Sequence, residues 1–253
     1  MSLEGAAISL GAAIISVFFS ATVLRNFLER RKPYNLMWGV GLVMFALVAF
    51  IQVAAEFGTW TDPLFRAWYV MGTSLVAFLG AGSVYIAHRK LGHAFAAYVA
   101  ILLLAFLAVA LTAATNSDAI STFGTAGPNG VVSPSGDGWA TRTPRLFSPL
   151  FTIPGTLTLV GIALYGLVRY RLTYNAYIAG GAIVLAVGTG LASLGVPSLI
   201  YGAEFAGIAV MFVGFLKAAE WAKEHRRTSP RGALPAVASE ETKPSEAVDA
   251  TPK

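Results

Sequence analysis

The chain has no cysteine. That excludes disulfides, thiolate metal sites and thiol catalysis. Histidine is nearly as scarce, with three residues, His88, His93 and His225, each beside basic residues near the end of an apolar run. They read as interfacial loop residues, and no histidine–carboxylate cluster is in reach for metal-assisted hydrolysis. Charge is also short. Only 12% of residues are Asp, Glu, Lys or Arg, against about 25% in a soluble domain. Lysine is missing from the apolar interior of every run. Lys217 stands at the far end of the last one, which excludes a retinal held as a Schiff base in mid-helix. No Ser/His/Asp set falls at one depth. The chain is expected to be no enzyme and to carry no metal or cofactor.

What is present is hydrophobic, at 56% of residues. The few charges cluster in short runs, and between them lie apolar stretches of about twenty residues, enough helix to cross a hydrocarbon core of about 30 Å. Seven such stretches appear, at roughly 5–25, 35–56, 66–87, 93–115, 147–169, 175–195 and 198–218. The first has Glu4 before it instead of a basic region, and its apolar run is too long for a signal peptide. The fold class is therefore all-α, a polytopic seven-helix membrane bundle over 1–221. A disordered cytoplasmic tail is expected over 222–253, since its Pro, Ala, Ser, Glu and Thr offer no apolar face to bury.

Lysine and arginine set the direction. Arg25, Arg30, Arg31 and Lys32 fill the first connection, Arg89 and Lys90 the third, and Arg169 and Arg171 the fifth. The segment after the last run is basic again. The alternate connections are poor in such residues. The N-terminus is thus expected outside and the C-terminus in the cytoplasm of a bacterial cytoplasmic membrane. The net charge of +5 is accounted for by these loops, and no nucleic-acid partner is expected. Trp38, Trp60, Trp68, Tyr170, Tyr174, Tyr201 and Trp221 fall at the edges of the runs, where aromatic belts form.

The outer loop 116–146 is rich in Gly, Ser, Thr and Pro. Its large apolar groups are Trp139 and Phe123. Two readings stand for it, a partly ordered cap and plain disorder. Pro154 lies inside the fifth run and is expected to kink it. Small residues in the sixth run, Ala182, Ala186 and Gly190, then Gly181, Gly188 and Gly195, suit close helix packing. Tyr34-Asn35 and Tyr174-Asn175 each follow a basic run and open a span, with Gly41 and Ala46 echoed by Gly181 and Ala186. Spans one to three and five to seven could then be parallel repeats joined by span four.

A few polar residues sit where oil is expected. Glu204 stands roughly 10 Å into the last helix counting from Pro197, with Tyr201 on the same face. Gln52 and Glu56 form an i, i+4 pair at the outer end of span two, and Arg66, Tyr69 and Thr73 share a face at the outer start of span three. Ionisable groups inside a membrane normally face the bundle interior, pair with one another and mark function. The expectation is an outward-facing polar pocket of Gln52, Glu56, Arg66, Tyr69, Thr73, Tyr201 and Glu204, with Arg66 paired to Glu56 or Glu204 and one carboxylate left for a cation or proton. A structural brace made by Glu204 is the other reading.

The stretch from Asn35 to Tyr85 resembles uncharacterised bacterial seven-helix membrane proteins. It is similar, more distantly, to the seven-helix sensor region of some histidine kinases. The shared pattern is an acid ending span two, Glu56, then Phe65, Trp68 and Tyr69 followed by Gly72. The resemblance covers the bundle and implies a sensor-like protein. No kinase or other output domain is expected after the bundle, so signalling would pass to a cytoplasmic or membrane protein partner. The ligand would be a small extracellular molecule or cation. A proton- or cation-coupled transporter built from the two repeats, and an accessory subunit of a membrane complex, are the alternatives.

Overall fold

The computed structural model describes residues 3–127, 130–132, 134–193 and 199–228, without the side chains of 3–6, Glu56, 126–131, 189–193, 199–200 and 223–228. Helices dominate: α1 (Leu3–Arg30), α2 (Pro33–Phe57), α3 (Asp62–Ala87), α4 (Arg89–Thr112), a short α5 (Ser117–Thr122), α6 (Thr143–Tyr170), α7 (Tyr174–Ser193) and α8 (Leu199–Thr228). Proline in the first turn of α2, α3 and α6 supplies a preset φ where the missing N–H costs nothing. Helix α8 runs on through Thr228, into the segment expected to be tail. The reason is local, because AAEWAKEHRR is built of good helix formers with no breaker. The remainder of the expected tail lies outside the described residues.

Six helices, α1, α2, α3, α4, α6 and α8, are long and apolar enough to cross a bilayer. The expected sixth span, 175–195, falls on α7, whose described apolar part is the shorter Tyr174–Gly188. Gly195 and its neighbours, 194–198, lie outside the described residues.

The helices pack in a closed order, α1 on α2, α2 on α3, α3 on α6, α6 on α7, α7 on α8 and α8 back on α1. Helix α4 stands outside this ring against α3 and α6. That placement fits its sequence, the most apolar of the spans and the least buried. With α4 set aside, α3 and α6 lie parallel: Gly155 touches Ala77, and Thr158 and Gly155 flank Gly80. Helices α8 and α1 also lie parallel, with Gly11 against Phe205 and Phe19 against Phe212 and Phe215. Where lipid gives no hydrophobic drive, such backbone approach replaces it. A Cβ at Gly155 would lie 2.8 Å from the backbone of Ala77.

One end of the bundle, the basic end, carries the turns at Arg31-Lys32, His88-Arg89 and Arg171-Leu172. At two of these the same backbone occurs. Arg31 and Arg171 have φ of 51° and 53° and are the non-glycine residues with positive φ among the described residues. Each ends a helix, and Asn35 N and Asn175 N donate to Lys32 O and Leu172 O, both at 3.0 Å. Further along, Gly41 meets Leu75 and Leu79, while Gly181 meets Gly207 and Met211. Gly82 accepts the Trp38 ring, while Gly214 accepts Ile178. In each case α2 residues shifted by 140 and α3 residues shifted by 132 give the contact of α7 with α8.

The other end is capped by the connection 113–142. Its described residues hold α5, an antiparallel pairing of Ala126–Gly127 with Gly130–Val131, and a 3-10 turn at Gly136–Gly138. Its anchor is Trp139, 1% exposed, packed on Phe65 and Tyr69. The ring contacts close a circuit through Trp60, Trp68, Tyr69, Trp139, Phe65 and Phe123. Each such pair contributes about 0.5–1.5 kcal/mol beyond burial.

Helix α6 stays helical across both Pro149 and Pro154. Pro154 has no N–H, so the carbonyl of Leu150, one turn back, loses its helical donor. The Tyr98 hydroxyl of α4 donates to that carbonyl at 2.7 Å. This repairs the backbone in a setting where an unmet carbonyl is costly, and it fixes α4 against α6.

Candidate functional site

The polar residues singled out in the sequence divide into two assemblies. Arg66 belongs to the cap. Its Nε donates to Asp62 Oδ2 at 2.7 Å, an i, i+4 pair on the first turn of α3. Its Nη1 donates to the carbonyl of Ala110 on α4, and the guanidinium lies 5.4 Å from the centre of the Trp139 ring. The expected pairing of Arg66 with Glu204 is therefore corrected: the guanidinium is already engaged by Asp62 and a carbonyl. The Glu56 side chain lies outside the described residues. Tyr69 is buried in the aromatic circuit, so it supports the cap instead of lining an open pocket. Thr73 is buried one turn further along α3.

The second assembly joins α2 to α8 across the bundle interior. Gln52 is 1% exposed and Glu204 8%. Gln52 Nε2 donates to Glu204 Oε1 at 3.3 Å. Helices α2 and α8 both pack on α1. The remaining oxygens, Gln52 Oε1 and Glu204 Oε2, are buried with no hydrogen-bond partner. Each such orphan costs about 1–3 kcal/mol. Tyr201, one turn earlier on α8, is buried as well.

The sequence did not point to Ser9. It is fully buried on α1, and its Oγ has no partner. Gly11 touches the ring of Phe205, the residue after Glu204, so Ser9 and Glu204 lie in one layer near the capped end. A lone serine in an apolar run carries no signal of its own. Asp62 did carry one, its spacing of four before Arg66, but it stood outside the expected span.

The Gln52–Glu204 layer thus presents one satisfied donor and two buried acceptors without donors. It can receive a hydrogen or a positive charge. The cap above it is held by two ion pairs, Arg66–Asp62 and Arg145–Asp137, the latter at 3.0 Å, and by Arg145 donating to Trp139 O at 3.0 Å.

Fold and site together define a multi-pass helical membrane protein with a buried polar layer beneath a cap anchored by Trp139. Comparison with protein-family models, with curated proteins and with solved structures finds no match.

Proposed function

We propose that the chain is a non-enzymatic, sensor-like protein of a bacterial cytoplasmic membrane that binds a small ligand or cation at the Gln52–Glu204 layer. The capped end faces outward, the basic end faces the cytoplasm and α7 makes the seventh crossing. What supports the orientation is the gathering of Arg30, Arg31, Lys32, Arg89, Lys90, Arg169 and Arg171 at one end, while Arg66 and Arg145 at the other are paired to carboxylates. What supports the seventh crossing is the antiparallel run of α7 along α8, from Gly214 beside Tyr174 to Gly207 beside Leu185. Signalling passes from the layer through the helices to a separate partner at the basic face.

The observation that carries the reading is the pair of donorless acceptors in the bundle interior. A chain that needed only a brace would close the pair or replace it with leucine, since an apolar pair is as stable or more so. The test is a thermal-stability panel of the purified protein in lipid with monovalent cations, divalent cations and small amines, run on wild type and Glu204→Gln. A ligand that raises the wild-type midpoint and leaves the variant unmoved is expected. A variant that keeps the full response would overturn the reading.

A coupled transporter is the second reading, favoured by the matching contacts of α2 with α3 and α7 with α8. Two parallel three-helix repeats with a site between them suit alternating access. Proton or solute flux in sealed vesicles separates the two: flux that Glu204→Gln abolishes selects transport, and its absence selects sensing.

A further inference from the structure

We propose that the occupant of the Gln52–Glu204 layer is a proton, taken up on Glu204 Oε2 and donated to Gln52 Oε1, so that one proton latches the first three helices to the last three. This rests on the reading of that layer as the binding site and names its ligand.

The geometry carries the inference. One amide N–H of Gln52 already reaches Glu204 Oε1. The two oxygens left over, one from each partner, are both buried acceptors. An amide and a carboxylic acid are complementary: each gives one hydrogen and takes one. A single hydrogen on Oε2 satisfies both orphans and turns one bond into a closed ring of two. Among the described residues no other group donates to either oxygen. From α1 the facing polar groups are Ser9, in the same layer, and Ser16, whose hydroxyl is spent on Ala12 O at 2.7 Å. The described side chains of α1 from Ala7 to Leu24 include no ionisable group. On α7 the titratable groups among the described side chains are Tyr174 and Tyr177, at the basic end. On α3, Arg66 and Asp62 hold each other and Tyr69 lies in the aromatic circuit. On α8 itself Tyr201 stands one turn toward the cap. Glu56 of α2 has its side chain outside the described residues.

A proton also fits the space. The helices around the layer approach closely, with Gly11 against the Phe205 ring at 2.9 Å from an added Cβ. The chemistry balances simply. Hydronium from the aqueous phase at the capped end gives its proton to the Glu204 carboxylate and leaves water. An O–H bond forms on Oε2, and release reverses the step. When the proton leaves, a carboxylate and an amide carbonyl face each other without a hydrogen between them, and the latch is reduced to the single Gln52 N–H.

Placement across the bundle gives the latch its effect. Gln52 belongs to α2, within the first three helices, and Glu204 to α8, within the last three. The two sets also meet along α1–α8 and α3–α6, through apolar rings and small residues. Strengthening or weakening one buried polar bond between them therefore biases how the sets sit.

Infrared difference spectroscopy of the protein in lipid, over a pH titration, tests the proposal. We expect a carboxylic-acid C=O band that grows as pH falls, is lost in Glu204→Gln, and shifts in frequency in Gln52→Leu, where its acceptor is gone. Absence of any Glu204-dependent acid band over the folded pH range would overturn the inference. Should the band be absent while a cation still stabilises wild type and not Glu204→Gln, the proton is wrong and the binding layer stands. Should the band be present while Glu204→Gln alters no ligand response or flux, the proton site stands and the wider functional reading falls. Glu204→Asp guards against misfolding, since a shorter acid should return a shifted band.

Discussion

Replacing Gln52 with leucine isolates what the polar pair does. The variant puts an apolar side chain of similar bulk in its place and leaves Glu204 buried with neither of its oxygens met. Leaving a buried polar group unmet costs about 1–3 kcal/mol, and more when it is charged. Glu204→Leu is the gentler change. It strands one amide, at about 1–3 kcal/mol. Glu204→Gln restores a reciprocal amide–amide pair and should fall within about 1 kcal/mol of wild type, because each amide then gives and takes one bond. The double change, Gln52→Leu with Glu204→Leu, removes every polar atom from the layer and should cost less than either leucine substitution alone. Equilibrium unfolding in bicelles, followed by tryptophan fluorescence, gives all four numbers. Additive costs in the double variant, or a Gln52→Leu protein as stable as wild type, would refute the claim that these two side chains meet in the interior.

Gly155→Val should destabilise by about 1–3 kcal/mol, since the new side chain meets the backbone of Ala77 and Val76; Gly161→Ala, with open space around it, should be neutral or stabilise by about 0.5–1 kcal/mol, and thermal midpoints compare the two. Trp139→Ala should cost about 3–5 kcal/mol of cap stability, read as faster proteolysis of the 113–142 connection with the bundle intact. Tyr98→Phe leaves the Leu150 carbonyl without its donor and should cost about 1 kcal/mol; an unchanged midpoint would mean that Pro154 is tolerated without help.

Much of the bundle could be read in the chain, and the misses have physical causes. Apolar run length reports crossings directly, so the helices fall where the runs are. The exception is α7, where the described apolar stretch ends at Gly188. Helix ends were harder, since α8 continues on propensity after hydrophobicity fades. Spacing along one helix tells which residues share a face, but not which helices become neighbours. Gln52 and Glu204 were both singled out, yet nothing in the sequence joined α2 to α8. Glu204 was weighed as a partner of Arg66 for the same reason, while Asp62, which Arg66 does bind, lay one turn away. The loop 116–146 was ambiguous because its anchor, Trp139, packs on Phe65 and Tyr69, a contact between segments far apart in sequence.

The latch between the two helix sets can be tested most directly with spin labels. The chain has no native cysteine, so labels at Phe57→Cys on α2 and Leu146→Cys on α6, both exposed positions at the capped end, report the distance between the sets without background. The account predicts a wild-type distance distribution that changes with pH, a Glu204→Gln distribution fixed at the low-pH form, and a broadened one in Gln52→Leu. One distribution shared by all three proteins at every pH would contradict it.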